Sequence, residues 1–109
     1  MRMLLKAVID TEAGNERLNE RLRSGASGGR PLERWRELVQ PEAFYFFPED
    51  GQRAFIAVFD LADPSLIPAI TEPLLLRGKA KVTLTPCMTV EDVDKGWEEV
   101  ARRIAAMQG

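Results

Sequence analysis

The middle of the chain departs from simple alternation of apolar and polar residues. From Ala43 to Phe59 two runs rich in aromatic and β-branched residues flank a turn-forming Pro-Glu-Asp-Gly, the pattern of a β-hairpin. A sheet with one wet face alternates, whereas these runs stay apolar on both sides. The pattern predicts strands covered on both faces. A chain of 109 residues carries too few helices to cover both. The second face is therefore expected to meet another subunit or a ligand.

The rest of the pattern predicts the elements around this hairpin. Met3 to Ile9 reads as a strand, with Met3, Leu5, Ala7 and Ile9 on one side and Leu4, Lys6 and Val8 on the other. Asp10 or Thr11 then caps a helix with Glu12 in its first turn and Leu18 and Leu22 as its buried stripe. Ser24 to Gly29 breaks it. Helix resumes at Pro31, with Leu32, Trp35, Leu38 and Val39 on one face, and Pro41 ends it. After the hairpin, Asp63 caps and Pro64 opens a helix whose buried face is Leu66, Ile67, Ile70, Leu74 and Leu75. Pro68 and Pro73 are expected to shorten or kink it, and Gly78 to close it. Lys79 to Cys87 alternates as a last strand, with Ala80, Val82 and Leu84 inward and Lys79, Lys81, Thr83 and Thr85 outward. Thr89 and Asp92 form a capping box with Asp in place of Glu. Val93, Trp97, Val100, Ile104 and Met107 give the terminal helix one apolar stripe.

A hairpin loop of Pro48 to Gln52 sets Phe47 opposite Arg53, and opposed residues share a face. That register puts Phe44, Phe46, Ala54, Ile56 and Val58 toward the core. Ala43, Tyr45, Phe47, Arg53, Phe55, Ala57 and Phe59 go to the other side. The element order, strand-helix-strand-strand-helix-strand plus a terminal helix, is that of a ferredoxin-like α+β domain with a four-stranded antiparallel sheet. It occupies residues 1–109 as one domain. Such a sheet carries its main helices on one face. The expected bare face gathers Lys6, Leu4, Val8, Tyr45, Phe47, Arg53, Phe55, Phe59, Lys81, Thr83 and Thr85, an aromatic patch that marks an interaction surface.

Composition narrows the chemistry. The chain has 45% hydrophobic and 29% charged residues and a net charge of −2, and no basic stripe that would fit nucleic acid. No apolar run is long enough to span a membrane. The single cysteine, Cys87, fits a reducing cytoplasm and is expected to be a small buried thiol. There is no histidine, so a Ser-His-Asp or Cys-His unit is impossible within the chain, and neither a metal site nor a cofactor is expected.

The candidate ligand-binding residues are Lys6, Tyr45, Arg53, Phe55, Phe59 and Thr83. Lys6 and Arg53 are cations suited to a carboxylate, Tyr45 is a hydrogen-bond donor, and the phenylalanines are walls for an apolar body. The competing reading gives Lys6 an acidic partner and makes the aromatics a plain dimer interface. Ser24 to Arg30 lacks a phosphate-loop pattern and reads as a connector.

Four stretches carry a resemblance: Ile9-Asp10-Thr11-Glu12-Ala13-Gly14-Asn15, Pro41-Glu42-Ala43-Phe44-Tyr45-Phe46, Ile67-Pro68-Ala69-Ile70-Thr71-Glu72-Pro73-Leu74 and Leu84-Thr85-Pro86-Cys87-Met88-Thr89. With the topology, they resemble small bacterial proteins of the dimeric α+β barrel superfamily. The resemblance implies a homodimer in which two sheets face each other, with a C-terminal element helping the pairing. It also implies a space between the sheets for a small aromatic or hydrophobic acid, handled by binding or by isomerase- or monooxygenase-like chemistry without a cofactor. Several enzymes of that superfamily rely on histidine, so no catalytic residue is carried over to this chain. A dimeric interaction or scaffold module without catalysis is the other expectation.

Overall fold

The computed structural model describes residues 1–25 and 32–108. Most of the expected Ser24–Arg30 connector and the expected helix start at Pro31 lie outside the described residues. The elements run β1 (Arg2–Val8), α1 (Thr11–Arg23), α2 (Glu33–Val39), β2 (Ala43–Glu49) and β3 (Gln52–Asp60). A 3-10 turn (Pro64–Leu66), α3 (Ile67–Gly78), β4 (Lys81–Pro86) and α4 (Val90–Gln108) follow. The strands form one four-stranded antiparallel sheet in the order β2-β3-β1-β4. The chain is thus an α+β domain with a C-terminal helix.

Local chemistry sets the boundaries. The Ala13 N–H donates to the Asp10 carboxylate at 3.1 Å, capping α1 as expected. The Ser65 N–H donates to Asp63 at 2.8 Å, so Asp63 caps the 3-10 turn that leads into α3. Pro73 lies inside α3, which continues to Gly78. Lys79, not Gly78, takes the left-handed cap conformation, at φ 45°.

The hairpin turn is shorter than expected. Asp50 and Gly51 alone form it, with φ of 49° and 78°, and Glu49 pairs with Gln52. Positive φ at both positions belongs to the two-residue turn whose twist matches the flanking strands. Pro48 is therefore a strand residue, opposite Arg53. It is tolerated because β2 is an edge strand, where a missing N–H breaks no ladder bond toward solvent.

This one-residue difference in register reverses β3. Phe55, Ala57 and Phe59 face the helices with Met3, Leu5 and Ala7, while Ala54, Ile56 and Val58 take the other side. The core is Met3, Leu5, Ala7, Phe55, Ala57 and Phe59 packed against Trp35, Val39, Ile70 and Leu74, with Phe44, Val82 and Leu84 at its margin. Phe55, Phe59 and Leu5 are fully buried, each stabilising the fold by about 1.5–3 kcal/mol. Trp35 meets Phe55 edge to face at 5.3 Å, and its Nε1–H donates to the Ile70 carbonyl at 2.8 Å, tying α2 to α3.

Several expected buried positions are exposed instead. Leu18 and Leu22 on α1 carry solvent-facing side chains, as do Leu38, Leu66 and Leu75. Only Ala13 and Gly14 of α1 are buried. The helix touches the domain through its first turn, where small residues admit close approach.

α4 stands clear of the domain. None of its residues is buried. The molecule extends 69 Å along its longest axis, and its radius of gyration is 18.5 Å, against about 13 Å for a compact chain of this length.

Candidate functional site: the helix-free face of the sheet

Register across the strands arranges the uncovered face as a grid. One row is Thr85, Leu4, Val58 and Ala43; the next is Thr83, Lys6, Ile56 and Tyr45; the third is Lys81, Val8, Ala54 and Phe47. Leu4, Val8, Ile56 and Val58 occupy the two central strands and make the middle of the face apolar. They are half-buried by their neighbours alone. Ala54 is only 3% exposed, its methyl lying low between Val8 and Phe47 on the adjoining strands. Tyr45, at the β2 edge, is 67% exposed.

Of the six candidate ligand-binding residues, the structure brings three together. Thr83, Lys6 and Tyr45 fall in one row across the sheet, with Ile56 completing it. Arg53, Phe55 and Phe59 do not join them. They project from the opposite face, a correction that follows from the two-residue turn. Phe55 and Phe59 are core residues. Arg53 lies over the first turn of α1, where its Nη2 donates to Asn15 at 3.0 Å. A Cβ at Gly14 would stand 2.8 Å from Arg53 Nη1, so the absence of a side chain there makes room for the guanidinium.

Sequence reasoning missed Glu49. The Lys6 ammonium donates to the Glu49 carboxylate at 2.8 Å, and both side chains are about a third exposed. A hairpin loop that begins at Pro48 leaves Glu49 in the turn. The Asp-Gly pair immediately after it is the signal that could have placed it on the strand. The Thr83 hydroxyl leans toward the Lys6 carbonyl at 3.4 Å. The face thus holds Lys81, two threonine hydroxyls and a tyrosine along its edge strands, and Lys6, matched by Glu49, among the apolar residues of its central strands.

At the start of β1, Arg2 pairs with Glu42 of the loop before β2, which raises the Arg2 pKa further. Cys87 is half-buried, and its N–H donates to the Arg2 carbonyl at 3.1 Å. Thr89 and Asp92 form the expected capping box: the Thr89 N–H donates to Asp92 at 3.1 Å, and the Asp92 N–H to the Thr89 hydroxyl at 3.1 Å. The Thr89 N–H, and after it the Thr89 hydroxyl, hold the Asp92 carboxyl below its ordinary pKa.

Among the described residues no group of three or more His, Cys, Asp or Glu side chains is placed to hold a metal ion, and no helix is long and apolar enough to cross a membrane. An open hollow of about 400 Å³ lined by Asn19, Leu22 and Arg23 lies on α1, on the helix side of the sheet. Comparison with protein-family models finds no match, and none of the curated proteins matches the chain.

Proposed function

We propose that the helix-free face is a self-association surface and that the chain acts as a homodimeric module, two ferredoxin-like sheets facing each other as a dimeric α+β barrel. The observation that carries this reading is the apolar centre of the face, Leu4, Val8, Ile56 and Val58, set on the two central strands with no helix over it among the described residues. An antiparallel sheet open to water on one side shows polar residues there. A contiguous apolar patch with a polar rim suits a protein partner. The rim here is Lys81, Thr83 and Thr85 on β4 with Tyr45 and Glu49 on β2, and the charge within the centre, Lys6, is matched by Glu49.

The test is the association constant of the full chain and of Ile56→Glu. A glutamate at this position stands directly opposite Lys6, so the monomer accommodates it. The same charge between two sheets is buried and opposes pairing. The reading expects a dimer that Ile56→Glu weakens at least a hundredfold. Unchanged association would overturn it.

A second reading rests on the row Thr83, Lys6, Ile56 and Tyr45. It lines up a hydroxyl, an ammonium and a phenol across an apolar floor, the donor set for a small aromatic or hydrophobic acid held between the sheets. Because Glu49 already matches Lys6, such an acid would bind by displacing that carboxylate. Glu49→Gln should then strengthen the thermal shift produced by benzoate, the simplest probe of this class. No shift with either chain would remove this reading and leave the dimer module standing.

A further inference from the structure

The apolar residues of α4 recur in alternating steps of three and four: Val90, Val93, Trp97, Val100, Ile104 and Met107. This is the strict seven-residue repeat of a coiled-coil seam, narrower than the stripe of a helix that lies on its own domain. Every residue of the seam is exposed, Trp97 at 67% and Met107 at 84%. Nothing among the described residues covers it.

Two further observations identify what does. The charges on α4 are segregated. Its first half carries Glu91, Asp92, Asp94, Glu98 and Glu99 against Lys95 alone, and its second half carries Arg102 and Arg103 with no acid; within one helix both arginines reach back to the single Glu99, at 2.6 and 2.7 Å, which leaves the other four acids of the first half without them. A parallel pair would set acid beside acid. An antiparallel pair sets the acidic half of each helix beside the basic half of the other and brings Trp97 of one copy against Val100 of the other near the two-fold axis. The second observation is Gly96. A glycine in mid-helix is unfavourable, and a Cβ there would meet nothing within 4 Å in this chain, so the single copy gives no reason for it. A glycine flanking the seam lets a second helix approach closely.

We propose that α4 pairs through this seam with α4 of a second copy of the chain, the two helices antiparallel. The proposal does not depend on the sheet-face reading, because it concerns residues that the sheet face does not contain.

The test uses the full chain with Cys87→Ser and a spin label introduced by Glu91→Cys or by Ala105→Cys, both on the outer flank of the helix. Antiparallel pairing predicts a short intermolecular distance, roughly 15 Å, when the two labelled chains are mixed, and roughly 27 Å between two Glu91→Cys chains. A short distance between two Glu91→Cys chains would mean parallel pairing and would overturn the proposal. So would the absence of any intermolecular coupling, or short distances from Ala105→Cys to a label at Tyr45→Cys, which would put α4 on a sheet face instead. Trp97→Glu supplies the control: it should abolish the 15 Å distance while the circular dichroism of the domain stays native, since no α4 residue belongs to the core.

Discussion

Lys6 and Glu49, 43 positions apart in sequence, meet at 2.8 Å on the face of the sheet that carries no helix. In a single copy, a pair about a third exposed contributes roughly 0–1 kcal/mol after solvent screening. Between two sheets it would lose water, and removing one partner would leave a buried, unmatched charge. Lys6→Met is therefore expected to weaken self-association about 10- to 100-fold, whereas Lys6→Met with Glu49→Leu should return it toward the parent value. Sedimentation equilibrium on the four chains of this cycle checks the prediction. Unchanged association in both the single and the double variant would show that the pair lies outside the interface.

Arg53 separates the two faces of β3. It reaches over Gly14 to Asn15 on the helix side. Arg53→Ala should lower stability by less than about 1 kcal/mol, the worth of one exposed hydrogen bond. It should leave the association constant unchanged. Chemical denaturation and sedimentation measure the two effects, and a loss of dimer in Arg53→Ala would place the contact surface on the wrong side of the sheet.

Trp35 carries the junction of α2, α3 and the sheet. Its Nε1–H satisfies the Ile70 carbonyl in a buried setting, and its ring fills the space beside Phe55 and Phe44. Trp35→Phe is expected to cost roughly 1–3 kcal/mol from the lost hydrogen bond and lost area. Trp35→Ala should cost roughly 3–5 kcal/mol. Urea unfolding followed by far-ultraviolet dichroism gives both values, and a neutral Trp35→Ala would contradict the core described here.

Asp92 gives the fold a pH dependence of known sign. Its carboxyl titrates below its ordinary value because the Thr89 N–H and hydroxyl stabilise the charged form. A group with a depressed folded-state pKa contributes stability that is present above the unfolded value, near 4, and is lost as pH falls through the folded value. The start of α4 should fray as pH drops below about 4, and helical dichroism should fall with it. Asp92→Asn should flatten this part of the titration, since the amide has no such proton to take up. Superimposable curves for the two chains would contradict the assignment.

Sequence pattern was enough for the order of elements and for the covered side of β1, β2 and β4. Met3, Leu5, Ala7, Phe44, Val82 and Leu84 lie where their spacing put them. It was not enough for β3, because a strand apolar on both sides carries no alternation to fix its register, and a one-residue slip exchanges the faces. The loop decided the matter. Pro48 drew the turn too early, although Asp50-Gly51 was the stronger turn signal and Pro48 fits an edge strand. Lys6, Tyr45 and Thr83 were legible as neighbours on one face, while Glu49, Ile56 and Val58 were hidden by the same slip. The exposure of Leu18 and Leu22 was not legible either. An amphipathic spacing says which residues share a stripe, not whether anything lies against it.

The most direct test of the sheet-face dimer is the mass of the folded chain in solution over a dilution series, with Ile56→Glu measured beside it. The account predicts a species near 24 kDa for the parent, twice the 12.2 kDa of one chain, and a much weaker association for Ile56→Glu. A folded parent chain that stays at 12.2 kDa at every concentration, or an Ile56→Glu chain that associates as tightly as the parent, would contradict it.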